Sequence, residues 1–182
     1  MPRIIQVRFA GFGGQGVILA GALLGEAGVV QGMNVAGSNS YGAQARGSGC
    51  TSEVILSDGP IDFPHVTRAD ILIAMSQGSY DLYASSVAAD GGMVLYDASQ
   101  VTPGEDLPVK QRGIPATDEA IKRLKNKQAA NIVLLGTLIG TTRLASPEAV
   151  EKAMERHVAE RFRDLNMDAF RLGLELAGKT DG

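Results

Sequence analysis

The sequence predicts an α/β protein, built on an open, mostly parallel sheet with flanking helices and a helical C-terminal part. Three observations lead there. A short β-like run at residues 4–10 feeds into a glycine-rich turn and a long apolar helix pattern. The run Ile71-Leu72-Ile73-Ala74-Met75 reads as a strand buried on both faces, as parallel strands are. Strand and helix patterns then alternate, which suits an open sheet with right-handed crossovers. With 182 residues, 45% of them apolar, the chain can enclose a full core in one domain spanning residues 1–182.

Residues 4–10 form the first expected strand and residues 14–30 the first helix. In that helix Val17, Ile18, Leu19, Leu23, Leu24, Val29 and Val30 point all round, so burial on more than one side is expected. Gly21, Gly25 and Gly28 between them permit close approach of neighbouring backbone. Residues 32–37 read as a second strand and residues 38–49 as a loop. A third strand covers residues 51–57, closed by the turn Asp58-Gly59-Pro60. Ser76 is placed to cap a short helix. Met93-Val94-Leu95-Tyr96-Asp97 is a further strand, and residues 98–115 form a proline-bearing connection with a short strand at 110–114. Residues 117–127 form an amphipathic helix whose Lys122, Arg123, Lys125 and Lys127 read as a solvated face, and residues 129–141 a buried helix. Ser146-Pro147-Glu148 opens a helix running to about residue 163, by a side-chain cap, a proline in the first turn and an acid at the positive end of the dipole. A last helix covers residues 166–177 and stops at Gly178.

The turn after the first strand, Gly11-Phe12-Gly13-Gly14-Gln15-Gly16, has the spacing of the dinucleotide-binding fingerprint. The rest of that fingerprint is missing. A nicotinamide or flavin site needs an acid about 20 residues on, to hold the ribose hydroxyls, and no Asp or Glu lies between Ala27 and Thr51. No lysine follows the glycines as in a phosphate-binding loop, and there is no Gly-x-Ser-x-Gly elbow. A ligand-type loop without a catalytic set fits one subunit of a larger enzyme.

Charge distribution points the same way. From Phe9 to Ala45 the only charged side chain is Glu26. A central buried βαβ unit accounts for the helix and strand of this stretch, but loops run over surfaces. The uncharged loop at residues 38–49 therefore suggests a face covered by another chain or a substrate. Arg46 is the only charged residue between Glu26 and Glu53. Its planar guanidinium suits a carboxylate or phosphate held in two-pronged fashion, or an acid of a partner chain.

Composition excludes several classes. A net charge of −3 gives no reason to expect nucleic acid. The one cysteine, Cys50, makes no internal disulfide and cannot supply the four thiolates of an iron–sulfur cluster. His65 and His157 have no ligand spacing around them, so a metal site is not expected. No secretory leader or membrane-crossing run is read, and a cytoplasmic protein is expected.

Four motifs in order carry a family resemblance: Gly11-Phe12-Gly13-Gly14-Gln15-Gly16-Val17, Ser40-Tyr41-Gly42-Ala43-Gln44-Ala45-Arg46-Gly47, Ser52-Glu53-Val54-Ile55-Leu56-Ser57 and Pro60-Ile61-Asp62. Together they resemble the gamma subunit, or gamma domain, of 2-oxoacid:ferredoxin oxidoreductases. The resemblance implies a Rossmann-like module that packs on alpha and beta subunits. Those subunits hold thiamine diphosphate and Mg, with iron–sulfur clusters in the beta subunit or a ferredoxin-like chain. The assembly oxidatively decarboxylates a 2-oxo acid, transfers the acyl group to coenzyme A and passes electrons to ferredoxin. This chain would carry no cofactor of its own. Phe12 and the Tyr41-Gly42 pair look most like the 2-oxoglutarate type. Indolepyruvate- and pyruvate-type subunits, and a free-standing nucleotide- or CoA-binding domain, are the alternatives. The resemblance implies that Ser40, Tyr41, Gly42, Arg46 and Gly47 lie near substrate or coenzyme A, beside the glycine-rich loop of Gly11, Gly13, Gly14, Gln15 and Gly16. No residue of this chain is expected to be catalytic.

Overall fold

A computed structural model describes residues 3–42 and 49–179. Strand β1 (Ile4–Phe12) leads through the glycine-rich turn into helix α1 (Val17–Val30), and strand β2 (Asn34–Tyr41) follows. Strand β3 (Gly49–Ser57), strand β4 (Ile71–Ala74), helix α2 (Gln77–Tyr83) and strand β5 (Met93–Asp97) come next. Strand β6 (Lys110–Ile114) and helices α3 (Ala116–Leu124), α4 (Ala130–Thr142), α5 (Pro147–His157) and α6 (Glu160–Gly178) complete the chain. No helix among the described residues is long and apolar enough to cross a membrane.

The six strands lie in the order β2-β3-β1-β4-β5-β6. β4 pairs parallel with β1, β5 with β4 and β6 with β5, whereas β3 runs antiparallel to both β1 and β2. β3 is thus the one reversed strand. Strand alternation sorts the side chains to two faces. Val7 and Phe9 of β1, Val54 and Leu56 of β3, and Ile71 and Ile73 of β4 join α1, α4, α5 and α6 in the main core. Ala10, Leu72 and Ala74 face the other way and pack under Tyr80 of α2. The crossover through α1 runs one way along the sheet and that through α2 the other, and right-handed connections of opposite sense place their helices on opposite faces.

The elements follow the sequence pattern with four corrections. The uncharged βαβ stretch is not central, because β2 is an edge strand. Ser38, Asn39, Ser40 and Tyr41, expected in a loop, continue β2 because each pairs with β3, Ser40 opposite Thr51 and Tyr41 opposite Cys50. The helix that opens at Ser146 ends at His157 instead of residue 163. Val158 and Ala159 are extended, the Arg163 Nε donates to the Val158 carbonyl (3.0 Å), and α6 starts at Glu160. The helix of residues 117–127 ends at Leu124, where Lys125 takes a left-handed cap conformation.

Gly21 and Gly28 of α1 serve the interior. A Cβ at Gly21 would collide with Ser52 Oγ, and one at Gly28 would lie 2.6 Å from a Leu56 methyl. These two glycines let α1 lie close on β3. The outward side of α1 is formed by other residues, among which Ala22 and Val29 are exposed.

Candidate functional site at the carboxyl edge of the sheet

β1 and β4 are neighbours whose onward connections leave in opposite directions, and the crevice beyond their carboxyl ends is where open α/β sheets bind ligands. The glycine-rich turn crosses that crevice. Gly14 (φ 96°) and Gly16 (φ 72°) adopt left-handed backbone that side chains with a Cβ disfavour. Gly16 also starts α1, and its carbonyl accepts from Asn131 Nδ2 at 3.0 Å. A Cβ on Gly16 would collide with that amide.

Gln15 folds back into the crevice. The Phe12 N–H donates to Gln15 Oε1 (2.7 Å), and Gln15 Nε2 donates to the Met75 carbonyl (2.9 Å) just past β4. A Cβ at Gly11 would sit 2.5 Å from Gln15 Oε1, so the side chain fills the space that Gly11 leaves. The Gln15 amide thereby bridges the two strand ends where a pyrophosphate would lie in a dinucleotide-binding protein. Beyond Met75, α2 begins with a reciprocal cap. The Ser79 N–H donates to Ser76 Oγ (3.3 Å) and the Ser76 N–H to Ser79 Oγ (3.2 Å).

The second motif arrives at the same edge. Cys50 pairs with Gly11 on one side and Tyr41 on the other, and the Gly42 N–H donates to the Gly49 carbonyl at 2.8 Å. Gly42 and Gly49 therefore both lie beside the glycine-rich turn. Ser40, Tyr41 and Gly42 are exposed there, Tyr41 by 68%, with Phe12 41% exposed next to them. Of the residues expected near a ligand, these three and the Gly11–Gly16 turn come together; Arg46 and Gly47 lie outside the described residues.

The rest of the neighbourhood is structural. Arg8 grips Glu53 through two nitrogens (2.8 and 2.6 Å), Ser38 Oγ donates to the same carboxylate (3.1 Å), and the guanidinium lies over the Tyr83 ring. Asp97, buried at the end of β5, accepts from the Ser99 N–H and from the Thr117 N–H and hydroxyl, and so caps α3. Glu26 takes Arg156 (2.7 Å) and His157 (3.3 Å), and these hydrogen bonds, Arg156 first, hold its carboxyl below the usual glutamate range. Burial pushes the Cys50 thiol up, away from the thiolate a nucleophile needs. Among the described residues no three His, Cys, Asp or Glu converge as metal ligands. Among the described residues the edge offers hydroxyls, backbone amides and apolar rings, with no nucleophile–base pair. A groove of about 410 Å³ adjoins it, walled by Gly14, Leu19, Asn131, Val158, Phe162 and Asn166 among others. Local spacing announces neither the contact of Asn131 with Gly16 nor the inward turn of Gln15 to Met75, because each joins residues far apart in the chain.

Residues 6–176 match the family model described as pyruvate ferredoxin/flavodoxin oxidoreductase. The chain belongs to this oxidoreductase family. The 2-oxoglutarate synthase subunit KorC of Methanocaldococcus jannaschii is 41% identical over 94% of this chain and 93% of its own length. The ketoisovalerate oxidoreductase subunit VorA of Methanothermobacter thermautotrophicus is 34% identical over 95% of this chain, which spans only 36% of that protein. Among solved structures, the gamma subunit of a keto/oxoacid ferredoxin oxidoreductase from Geobacter sulfurreducens superposes with a TM-score of 0.84 and 37% identity, over 95% of this chain and 98% of its own. The 2-oxoglutarate:ferredoxin oxidoreductase of Magnetococcus marinus gives a TM-score of 0.87 at 22% identity, over 99% of this chain and 32% of that one, a likeness of fold. The oxidoreductase module can thus stand alone or lie within a chain about three times as long.

Proposed function

We infer that this chain is the gamma subunit of a 2-oxoglutarate:ferredoxin oxidoreductase. The observation that carries the reading is reciprocal, nearly full-length similarity to a 2-oxoglutarate synthase subunit at 41% identity, against 28% for the pyruvate synthase subunit PorC of Methanothermobacter thermautotrophicus. The complex oxidatively decarboxylates 2-oxoglutarate, joins the acyl group to coenzyme A and delivers the electron pair to ferredoxin. Thiamine diphosphate with Mg, held by the alpha and beta subunits, supplies the nucleophile for decarboxylation. Iron–sulfur clusters in the beta subunit or a ferredoxin-like chain carry the electrons, since a chain with one cysteine cannot ligate one. The reaction and its ferredoxin acceptor belong to the cytoplasm.

The gamma subunit contributes the carboxyl edge of its sheet. Ser40, Tyr41 and Gly42 stand exposed beside the glycine-rich turn, and Arg46 and Gly47 follow them in the sequence. Arg46 supplies the charge for a carboxylate of the 2-oxo acid or a phosphate of coenzyme A, and the hydroxyls of Ser40 and Tyr41 add donors. The test is the co-expressed, assembled complex assayed on a panel of 2-oxo acids with coenzyme A. 2-Oxoglutarate is expected to lead pyruvate and 2-oxoisovalerate by about tenfold or more in kcat/KM, a margin of ~1.4 kcal/mol in transition-state binding. Preference for another 2-oxo acid sinks the assignment. Losing one charge-assisted hydrogen bond costs about 1.5–3 kcal/mol, so Arg46→Ala lowers kcat/KM roughly ten- to a hundredfold in a complex that still assembles. Wild-type values for both substrates would make Arg46 structural.

A further inference from the structure

We propose that Glu53 is a positioning residue for the carboxyl edge of the sheet. It acts through Ser38 to fix where β2 ends, and so where Ser40, Tyr41 and Gly42 are presented. The proposal rests on the gamma-subunit reading above and names the side chains on which the exposed edge depends.

The register puts Ser38, Glu53 and Arg8 in one row across β2, β3 and β1. Arg8 Nε and a terminal guanidinium nitrogen both donate to Glu53 Oε1 (2.8 and 2.6 Å), which leaves Oε2 to accept from Ser38 Oγ (3.1 Å). The adjacent row faces the other side of the sheet. There Ser52 Oγ donates to Asn39 Oδ1 (2.7 Å), in the space that Gly21 of α1 leaves by lacking a Cβ. β3 thus holds two successive residues of β2, one from each face. Ser40, Tyr41 and Gly42 follow directly, and Ser40 lies roughly 7 Å beyond Ser38 at ~3.3 Å per residue.

The end of β2 needs such a hold. It is the terminal strand and pairs with β3 alone. Ser38-Asn39-Ser40 has little preference for strand, and weakly held strand ends open locally. The two side-chain bonds reinforce the ladder just before the Gly42 N–H reaches the Gly49 carbonyl beside the glycine-rich turn.

The choice of a charged group also points to placement. The Arg8 and Glu53 side chains are only 12% and 18% exposed. Taking such a pair out of water is costly, and apolar residues of similar volume in its place are often neutral or stabilising. Stability alone therefore does not call for a carboxylate at residue 53. A leucine would fill the space but could not accept from Ser38. The Arg8 guanidinium, fixed over the Tyr83 ring at 4.8 Å, orients the carboxylate, and the carboxylate orients Ser38. Groups that meet a ligand are sensitive to such placement, because a shift of about 1 Å can cost roughly a hundredfold in rate.

The test compares variants in the co-expressed, assembled complex. Arg8→Met with Glu53→Leu removes the row without leaving an unpaired charge. This double variant is expected to assemble and to keep or exceed the wild-type urea midpoint. Its kcat/KM for the 2-oxo acid or coenzyme A falls by about tenfold or more, and hydrogen exchange of the Gly42 amide quickens by about tenfold or more. Ser38→Ala lowers kcat/KM by about threefold or more, and Ser38→Thr, which keeps the hydroxyl, stays within about twofold of wild type. Wild-type kcat/KM in the assembled double variant overturns the proposal. Should that variant misfold, Ser38→Ala decides, because it leaves the ion pair intact. Wild-type kcat/KM there overturns the proposal, and so do equal losses in Ser38→Ala and Ser38→Thr, which would take the effect away from the hydroxyl. An assembled wild-type complex that is inactive on every 2-oxo acid refutes the gamma-subunit reading instead. Quicker Gly42 exchange in the double variant would then still support the hold on β2, and unchanged exchange would overturn it.

Discussion

The amide of Gln15 is held at both ends, by the Phe12 N–H and the Met75 carbonyl, and it ties the turn after β1 to the turn after β4. Each bond between neutral groups contributes about 0.5–1.5 kcal/mol, and leaving a partner unsatisfied costs about 1–3 kcal/mol. Gln15→Ala should therefore lower unfolding stability by roughly 1–3 kcal/mol in urea melts. Gln15→Glu is a sharper version, because a carboxylate still accepts from Phe12 but repels the Met75 carbonyl. An unchanged midpoint in both variants would show that the bridge contributes nothing. The sequence placed Gln15 in the motif but not in the crevice, since its partner Met75 is 60 residues away and no local spacing encodes the meeting.

At the scale of elements, two helices end on residues with left-handed backbone that are not glycine. Lys125 (φ 55°) ends α3 and Arg143 (φ 54°) ends α4. A side chain in that conformation costs about 1 kcal/mol that glycine avoids. Lys125→Gly and Arg143→Gly are each expected to raise stability by roughly 0.5–1 kcal/mol, seen as a higher Tm, and a fall in Tm for both would contradict this. Local pattern located most elements, and the strands at residues 93–97 and 110–114 occur where the sequence placed them. It failed where pairing overrides propensity. Ser38-Asn39-Ser40 has little intrinsic preference for strand, yet β3 draws it into the sheet. The break at Val158 carries no glycine or proline to announce it. The reversal of β3 depends on which strands meet, and neither its composition nor its length records that.

For the whole molecule, the strand order places a ligand crevice between β1 and β4, and the chain closes it with its own side chain. The carboxylate that would hold a ribose is absent from the end of β2 as well, where Ser38, Ser40 and Tyr41 stand. Titration calorimetry with NAD or FAD should accordingly show no binding in the micromolar range, and a micromolar Kd would refute this account of the crevice. Ten residues of α4 are buried, the run from Ala130 to Ile139. Much of that burial is against α6, which approaches so closely that a Cβ on Gly173 would collide with the Val133 carbonyl. Arg112 of β6 then clasps the carbonyls of Leu176 (3.0 Å), Ala177 (3.1 Å) and Lys179 (2.7 Å) at the far end of α6. This order matters during synthesis. The buried helix α4 meets α6 across 36 residues of sequence, Thr137 Oγ1 donating to the Gly173 carbonyl, and at roughly 5–20 residues per second it stays bare for several seconds after it emerges from the ribosome. Nascent chains stalled before α6 should be clients for holding chaperones, and release from them should await the last turn.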